Sequence, residues 1–123
     1  QWIMDVKHYD DEVHKKWVGI SNRQTIENLE KVSALHRDVL IRVPLIPGFN
    51  DAPEDAEGFA ALFQEKIKGP GTKVEFLIYH EFGKGKWEQC GWVYRMPTGR
   101  IAPGRAEHFE KVLTERGIIC VRT

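Results

Sequence analysis

The stretch DVLIRVPLIP, residues 38–47, is a near-continuous apolar run interrupted by one charge, Arg42. A run of this kind marks a strand covered on both sides in a parallel sheet, because a strand with one wet face would alternate apolar and polar residues. Two other runs share its character. WIMDVKH, residues 2–8, carries Asp5 and Lys7, and KVEFLIYH, residues 73–80, ends on His80. Helical patterns separate the three. Residues 10–18 read as a short helix, and Asn22 is expected to cap a longer one in which Ile26, Leu29, Val32 and Leu35 recur on one face. After the central run, Asp51 is expected to cap a helix with Pro53 in its first turn and Phe59, Leu62, Phe63 and Ile67 on its buried stripe. Gly69, Pro70 and Gly71 end that helix. An irregular aromatic stretch spans 81–102, and a last helix with Phe109, Val112 and Leu113 inward runs to a Gly117 stop before the short strand IICVR.

Strands alternating with helices predict an α/β fold with parallel strands and right-handed crossovers. The expected layout is a single partial domain over residues 1–123, with strands at about 2–8, 38–46 and 73–80 and the C-terminal helix and short strand within 103–122.

Composition narrows the function classes. The 18 basic and 18 acidic residues cancel, and no basic face is interleaved with aromatics, so nucleic acid is not the expected partner. No apolar run approaches the roughly 20 residues that span a bilayer, and Gln1 leads directly into a strand pattern rather than a signal peptide. The expectation is a soluble cytoplasmic protein with no membrane partner. Cys90 and Cys120 lie far apart and match no metal-ligand spacing, so they read as two free thiols. His8, His14, His36 and His108 likewise show no metal spacing and read as surface or cap residues.

The polar residues within the apolar runs are the candidate site. Functional groups of parallel α/β folds collect at the carboxyl ends of the strands. Asp5 and Lys7 share a strand face, His80 closes its strand, and Arg42 needs an anion because a buried guanidinium without one is costly. That anion is either internal, with Asp5 across the neighbouring strand, or a bound ligand. Together Asp5, Lys7, Arg42 and His80 suit a small zwitterion carrying a ribose, with cations for a carboxylate and Asp5 for hydroxyls.

The motifs DVKH, GISN, IRVPLIPGFND and YHEFGKGKWEQCGWVY, in this order and spacing, resemble the C-terminal half of glycyl-radical enzyme activating enzymes of the radical S-adenosylmethionine superfamily. The resemblance implies the C-terminal half of a partial (β/α)6 TIM-like barrel. It implies a 4Fe-4S cluster that binds S-adenosylmethionine and yields a 5′-deoxyadenosyl radical, which takes hydrogen from a glycine of a pyruvate formate-lyase-like partner. A flavodoxin or ferredoxin-type protein would supply the electron. By the same resemblance Asp5 and Lys7 would hold the ribose and help with the methionyl carboxylate, Arg42 would pair that carboxylate, and His80 would contact the nucleoside.

This sequence departs from the family in lacking the CxxxCxxC cluster motif and the glycine-rich segment that follows it. Two unclustered cysteines cannot supply three thiolates, so the cluster ligands are expected outside this chain, and the chain alone is expected to be inactive. Its first strand would then present an apolar edge that invites self-association. Asn50 and Asp51, after the central strand, would line a channel for the partner's glycine loop, or else make a turn into a helix cap. Lys86 and Trp87 would meet the partner, although the aromatics of that stretch equally suit a core seal. A non-catalytic α/β module that binds a nucleoside-like ligand or a protein through the same rim is the alternative from another class.

Overall fold

Val39, Ile41, Val43 and Leu45 are wholly buried, while Arg42 and Pro44, on the other side of the same strand, are half-buried. This alternation organises the computed structural model, which describes residues 1–36, 38–78 and 101–122. The elements run β1 (Trp2–Asp5), α1 (Asp11–Val18), α2 (Arg23–Leu35), β2 (Val39–Leu45), α3 (Asp55–Lys66), β3 (Thr72–Ile78), α4 (Arg105–Glu115) and β4 (Ile119–Cys120). All pairings are parallel, and the sheet order is β1-β2-β3-β4. Because each crossover advances in one direction and such crossovers share one hand, α2, α3 and α4 fall on one face of the sheet, while α1 packs beyond it against Ile46 and Phe49. The core agrees: the four β2 residues pack with Leu29 of α2, Phe59, Ala60 and Phe63 of α3, and Phe109 and Leu113 of α4. Each large apolar side chain so enclosed contributes about 1.5–3 kcal/mol.

The parallel α/β architecture agrees with the sequence expectation, but several local details differ. Among the described residues helices cover one face of β2, and its other face bears Leu40, Arg42 and Pro44. β1 ends at Asp5 rather than residue 8; Val6 N–H makes one more bond, to Arg42 O at 2.9 Å, and then the chain leaves the ladder. Asn22 occupies the cap position of α2 without capping through its side chain, and Asp51 does not cap α3, which begins four residues later at Asp55. Asp51 Oδ1 instead accepts from Gly48 N–H, and Asp55 Oδ2 from Ala52 N–H, so both carboxylates fold the turn. Leu35, expected on the buried face of α2, is 77% exposed because it ends the helix beyond the core. The short first helix is as expected, with Asp10 as its cap accepting from Glu12 and Val13 N–H. Gly117 stops α4 in the left-handed region, φ 84°.

Among the described residues no helix is long and apolar enough to cross a membrane. β1 is at one edge of the described sheet, where Trp2 and Ile3 are about half exposed.

Candidate functional site

Register decides which polar side chains meet. Asp5 lies abreast of Arg42, and Arg42 abreast of Glu75, so β1, β2 and β3 carry acid, base and acid in one row on the face away from the helices. Leu40 and Lys73 precede this row, and Pro44 and Leu77 follow it. Arg42 Nε stands 3.6 Å from Glu75 Oε1, within ion-pair range and beyond hydrogen-bond range. The Glu75 side chain is 3% exposed and that of Arg42 39%. The internal anion for Arg42 is therefore Glu75, two strands from Asp5, and not Asp5, which stood as the internal alternative to a bound ligand. Asp5 itself is exposed, and Lys7 is half-buried just past the strand.

The carboxyl end of β1 is held by buried amides and an imidazole. Asn50 is wholly buried, and its Nδ2 donates to Lys7 O at 2.9 Å and to Pro44 O at 2.8 Å, while its Oδ1 accepts from Ile46 N–H at 2.8 Å. Asn22 Nδ2 donates to His8 O at 3.1 Å. His8, 2% exposed, accepts from Asp10 N–H through Nδ1 at 2.9 Å, which leaves its proton on Nε2, 3.0 Å from Phe49 O. The segments DVKH, GISN and PGFND thus form one hydrogen-bonded cluster that fixes where Asp5 and Lys7 stand relative to Arg42. His8 is a buried structural residue, and so is His14, whose Nδ1 meets Ile20 O at 2.7 Å; neither is the surface or cap residue expected. Asn50 turns inward, and Asp51, half-buried, also accepts Arg105 Nη1 at its carbonyl oxygen, 2.6 Å away. His80, Lys86 and Trp87 lie outside the described residues.

Electrostatics follow burial. Burial holds the His8 pKa below its ordinary 6.5, against the pull of Asp55 and Asp10. Backbone N–H of Asn22 and the Ser21 hydroxyl depress Asp11, and burial raises the Cys120 thiol. Among the described residues no three acidic, histidine or cysteine side chains converge to hold a metal.

His8 makes stability pH-dependent. Below pH 6.5 the unfolded chain takes up a proton that the folded imidazole refuses, so folding stability is full above about 6.5 and falls as pH drops from there towards the lower folded pKa. Urea unfolding at pH 7.5 and pH 5 is expected to show this loss, and His8→Gln to flatten it; an unchanged slope in that variant would contradict the assignment.

Glu75 is the site residue that sequence reasoning missed. In KVEF it alternates with buried Val74 and Phe76, and that parity, the same as for Arg42, was the available signal.

No protein-family model matches the chain. Among curated proteins it is 31% identical, over 97% of its own length and 39% of the relative's, to (2S)-3-sulfopropanediol dehydratase activating enzyme of Klebsiella oxytoca. It is 32% identical, over 89% of its length and 43% of the relative's, to pyruvate formate-lyase 1-activating enzyme of Escherichia coli. A third relative, 4-hydroxyphenylacetate decarboxylase activating enzyme of Clostridioides difficile, is 30% identical over 96% and 37%. The chain's relatives are glycyl-radical enzyme activating enzymes. It spans about two fifths of the length of these activating enzymes. Solved structures support the same fold: a domain of pyruvate-formate lyase-activating enzyme from Bacteroides vulgatus superposes with TM-score 0.73 at 19% identity, covering 97% of this chain and 64% of that one. A radical SAM methyltransferase from Sphaerobacter thermophilus gives 0.66 at 23% identity, over 97% and 32%. The sequential parallel sheet, with α2, α3 and α4 on one face among the described residues, is therefore an arc of a partial TIM-like barrel, as the activating-enzyme resemblance implied.

Proposed function

We propose that this chain is the cofactor-holding C-terminal portion of a radical S-adenosylmethionine activating enzyme that installs a glycyl radical on a pyruvate formate-lyase-like partner. The observation that carries this reading is the row Asp5, Arg42 and Glu75, with Lys7 just past the end of β1, on the sheet face opposite the described core helices, in a chain whose relatives are activating enzymes.

The residues fit the cofactor. Arg42, in ion-pair range of Glu75 through a buried Nε that makes no hydrogen bond among the described residues, keeps a partly exposed side chain, as suits a cation that can take a second carboxylate. Asp5, exposed on the same row, suits ribose hydroxyls, and Lys7, just past the end of β1, would help the carboxylate. His80 is assigned the nucleoside by resemblance alone. Bound to a reduced 4Fe-4S cluster, S-adenosylmethionine supplies the radical chemistry; this chain's residues bind, orient and exclude water. Orientation matters because a reactive radical takes hydrogen from whatever is nearest.

In this reading residues 1–123 are a single partial domain, the cluster ligands are outside the chain, and the chain alone is without activity. The protein works in the cytoplasm with a flavodoxin or ferredoxin-type electron donor. Asp51, Lys86 and Trp87 meet the partner, while Asn50 shapes the turn that follows β2. The exposed edge at Trp2 and Ile3 gives the isolated chain a route to self-association.

The test is ligand affinity. S-Adenosylhomocysteine is expected to bind the natural polypeptide, anaerobically reconstituted, and Arg42→Ala to weaken it about tenfold or more, the worth of a charge-assisted pair. Equal binding by wild type and variant would contradict the assignment.

A further inference from the structure

Resting on that reading, we propose that Glu75 is a positioning residue: it grips Arg42 from the side so that the end of the guanidinium is presented to the carboxylate of S-adenosylmethionine.

The geometry has three parts. Glu75 and Arg42 are abreast in the β2–β3 register, so their side chains leave the sheet on the same face. The contact is through Nε, 3.6 Å from Glu75 Oε1, and Nε itself is buried. Yet the Arg42 side chain as a whole keeps 39% exposure against 3% for Glu75, so what is accessible lies away from the edge that Glu75 occupies. A guanidinium offers a side edge, Nε with one Nη, and an end edge with both Nη groups, and each matches a carboxylate bidentately. Glu75 approaches the Nε corner at ion-pair range without a hydrogen bond, and the end edge is left for a second carboxylate. Asp5 is not that second anion: although it is abreast of Arg42 on the other flank, Arg42 pairs, among the described residues, with Glu75.

An arginine without such a grip has many rotamers, and a ligand must then pay for ordering it; one already held by a buried acid is preorganised. The same burial argues against a plain stabilising role, since buried ion pairs are commonly neutral or worse compared with well-packed apolar residues.

The experiment compares two ligands on the anaerobically reconstituted natural polypeptide by calorimetry: S-adenosylhomocysteine, which has the amino-acid carboxylate, and 5′-methylthioadenosine, which lacks it. Glu75→Gln is expected to weaken the first about tenfold and the second less than about twofold, because only the first reaches Arg42. Equal loss for both ligands, the result for a merely structural glutamate, or no loss for either would overturn the proposal. Arg42→Ala separates the two levels. If that variant binds S-adenosylhomocysteine as well as wild type, the cofactor assignment itself fails; if it binds weakly while Glu75→Gln binds normally, only the role of Glu75 fails. Should Glu75→Gln not accumulate as folded protein, Glu75→Asp, which withdraws the carboxylate by one methylene, carries the same comparison.

Discussion

Asn50→Leu is expected to destabilise the protein by about 3–5 kcal/mol, the cost of leaving several buried backbone groups without their partners. Asn50 is fully enclosed, and its amide serves Lys7 O, Pro44 O and Ile46 N–H at once. Leucine fills a similar volume, so the change isolates the hydrogen bonds from packing. The same substitution should also loosen the carboxyl end of β1, where Asp5 and Lys7 stand, and so weaken ligand binding in whatever protein folds. Urea denaturation gives the stability, with Asn28→Leu as the comparison: Asn28 is an exposed helix residue that accepts from Gln24, and its loss is expected to matter by less than about 0.5 kcal/mol. A difference between the two variants below about 1 kcal/mol would contradict the role given to Asn50.

Gly58→Ala is expected to destabilise by about 1–3 kcal/mol, although alanine in a helix interior ordinarily gains about 1 kcal/mol over glycine. Gly58 lies in α3 directly beneath the ring of Tyr9, and a Cβ there would overlap that ring. The ring has little room to retreat. Its hydroxyl donates to Asp55 Oδ1, its edge meets Phe59 at 5.1 Å between centroids, and its other neighbour is His8 at 4.6 Å. Burial and the Asp55 hydrogen bond both raise the Tyr9 pKa, so the phenol stays a donor throughout the physiological range. A double-mutant cycle identifies the cause: in a Tyr9→Ala background the clash is gone, and Gly58→Ala should become neutral or stabilising by up to about 1 kcal/mol. Stabilisation in the wild-type background would show that the ring moves at no cost.

The strands and their parallel arrangement were legible because buried strands leave continuous apolar runs, and helices 3.6-residue stripes, whatever surrounds them. What the runs did not show is which face of β2 the described helices cover. An apolar residue looks the same whether it meets a helix or lines the inside of a barrel, so Leu40 and Pro44 read like Ile41 and Val43. The resemblance carried by DVKH, GISN and PGFND supplied the barrel, yet the residues in those motifs were assigned roles too local. Asn22 and Asp51 looked like helix caps because capping residues are recognised within a few positions. Asn22 instead serves a carbonyl 14 residues away and Asn50 one 43 residues away, and no nearby pattern encodes such partners. His8 was hidden for the same reason. Glu75 was not weighed among the polar residues of KVEFLIYH, and only the register between β2 and β3, set by the length of α3 and its loops, brings it beside Arg42. Asp5, Lys7 and Arg42 were found as chemistry out of place in apolar runs; which acid pairs the arginine needed the three-dimensional order of strands.

The measurement that tests the central claim most directly is reductive cleavage of S-adenosylmethionine by the natural polypeptide, reconstituted with iron and sulfide under anaerobic conditions and given a low-potential reductant. Methionine and 5′-deoxyadenosine in equal amounts, with the yield cut sharply in Arg42→Ala at a subsaturating cofactor concentration, is the predicted result. Intact S-adenosylmethionine after many hours with a fully loaded cluster, or cleavage indifferent to Arg42, would contradict it.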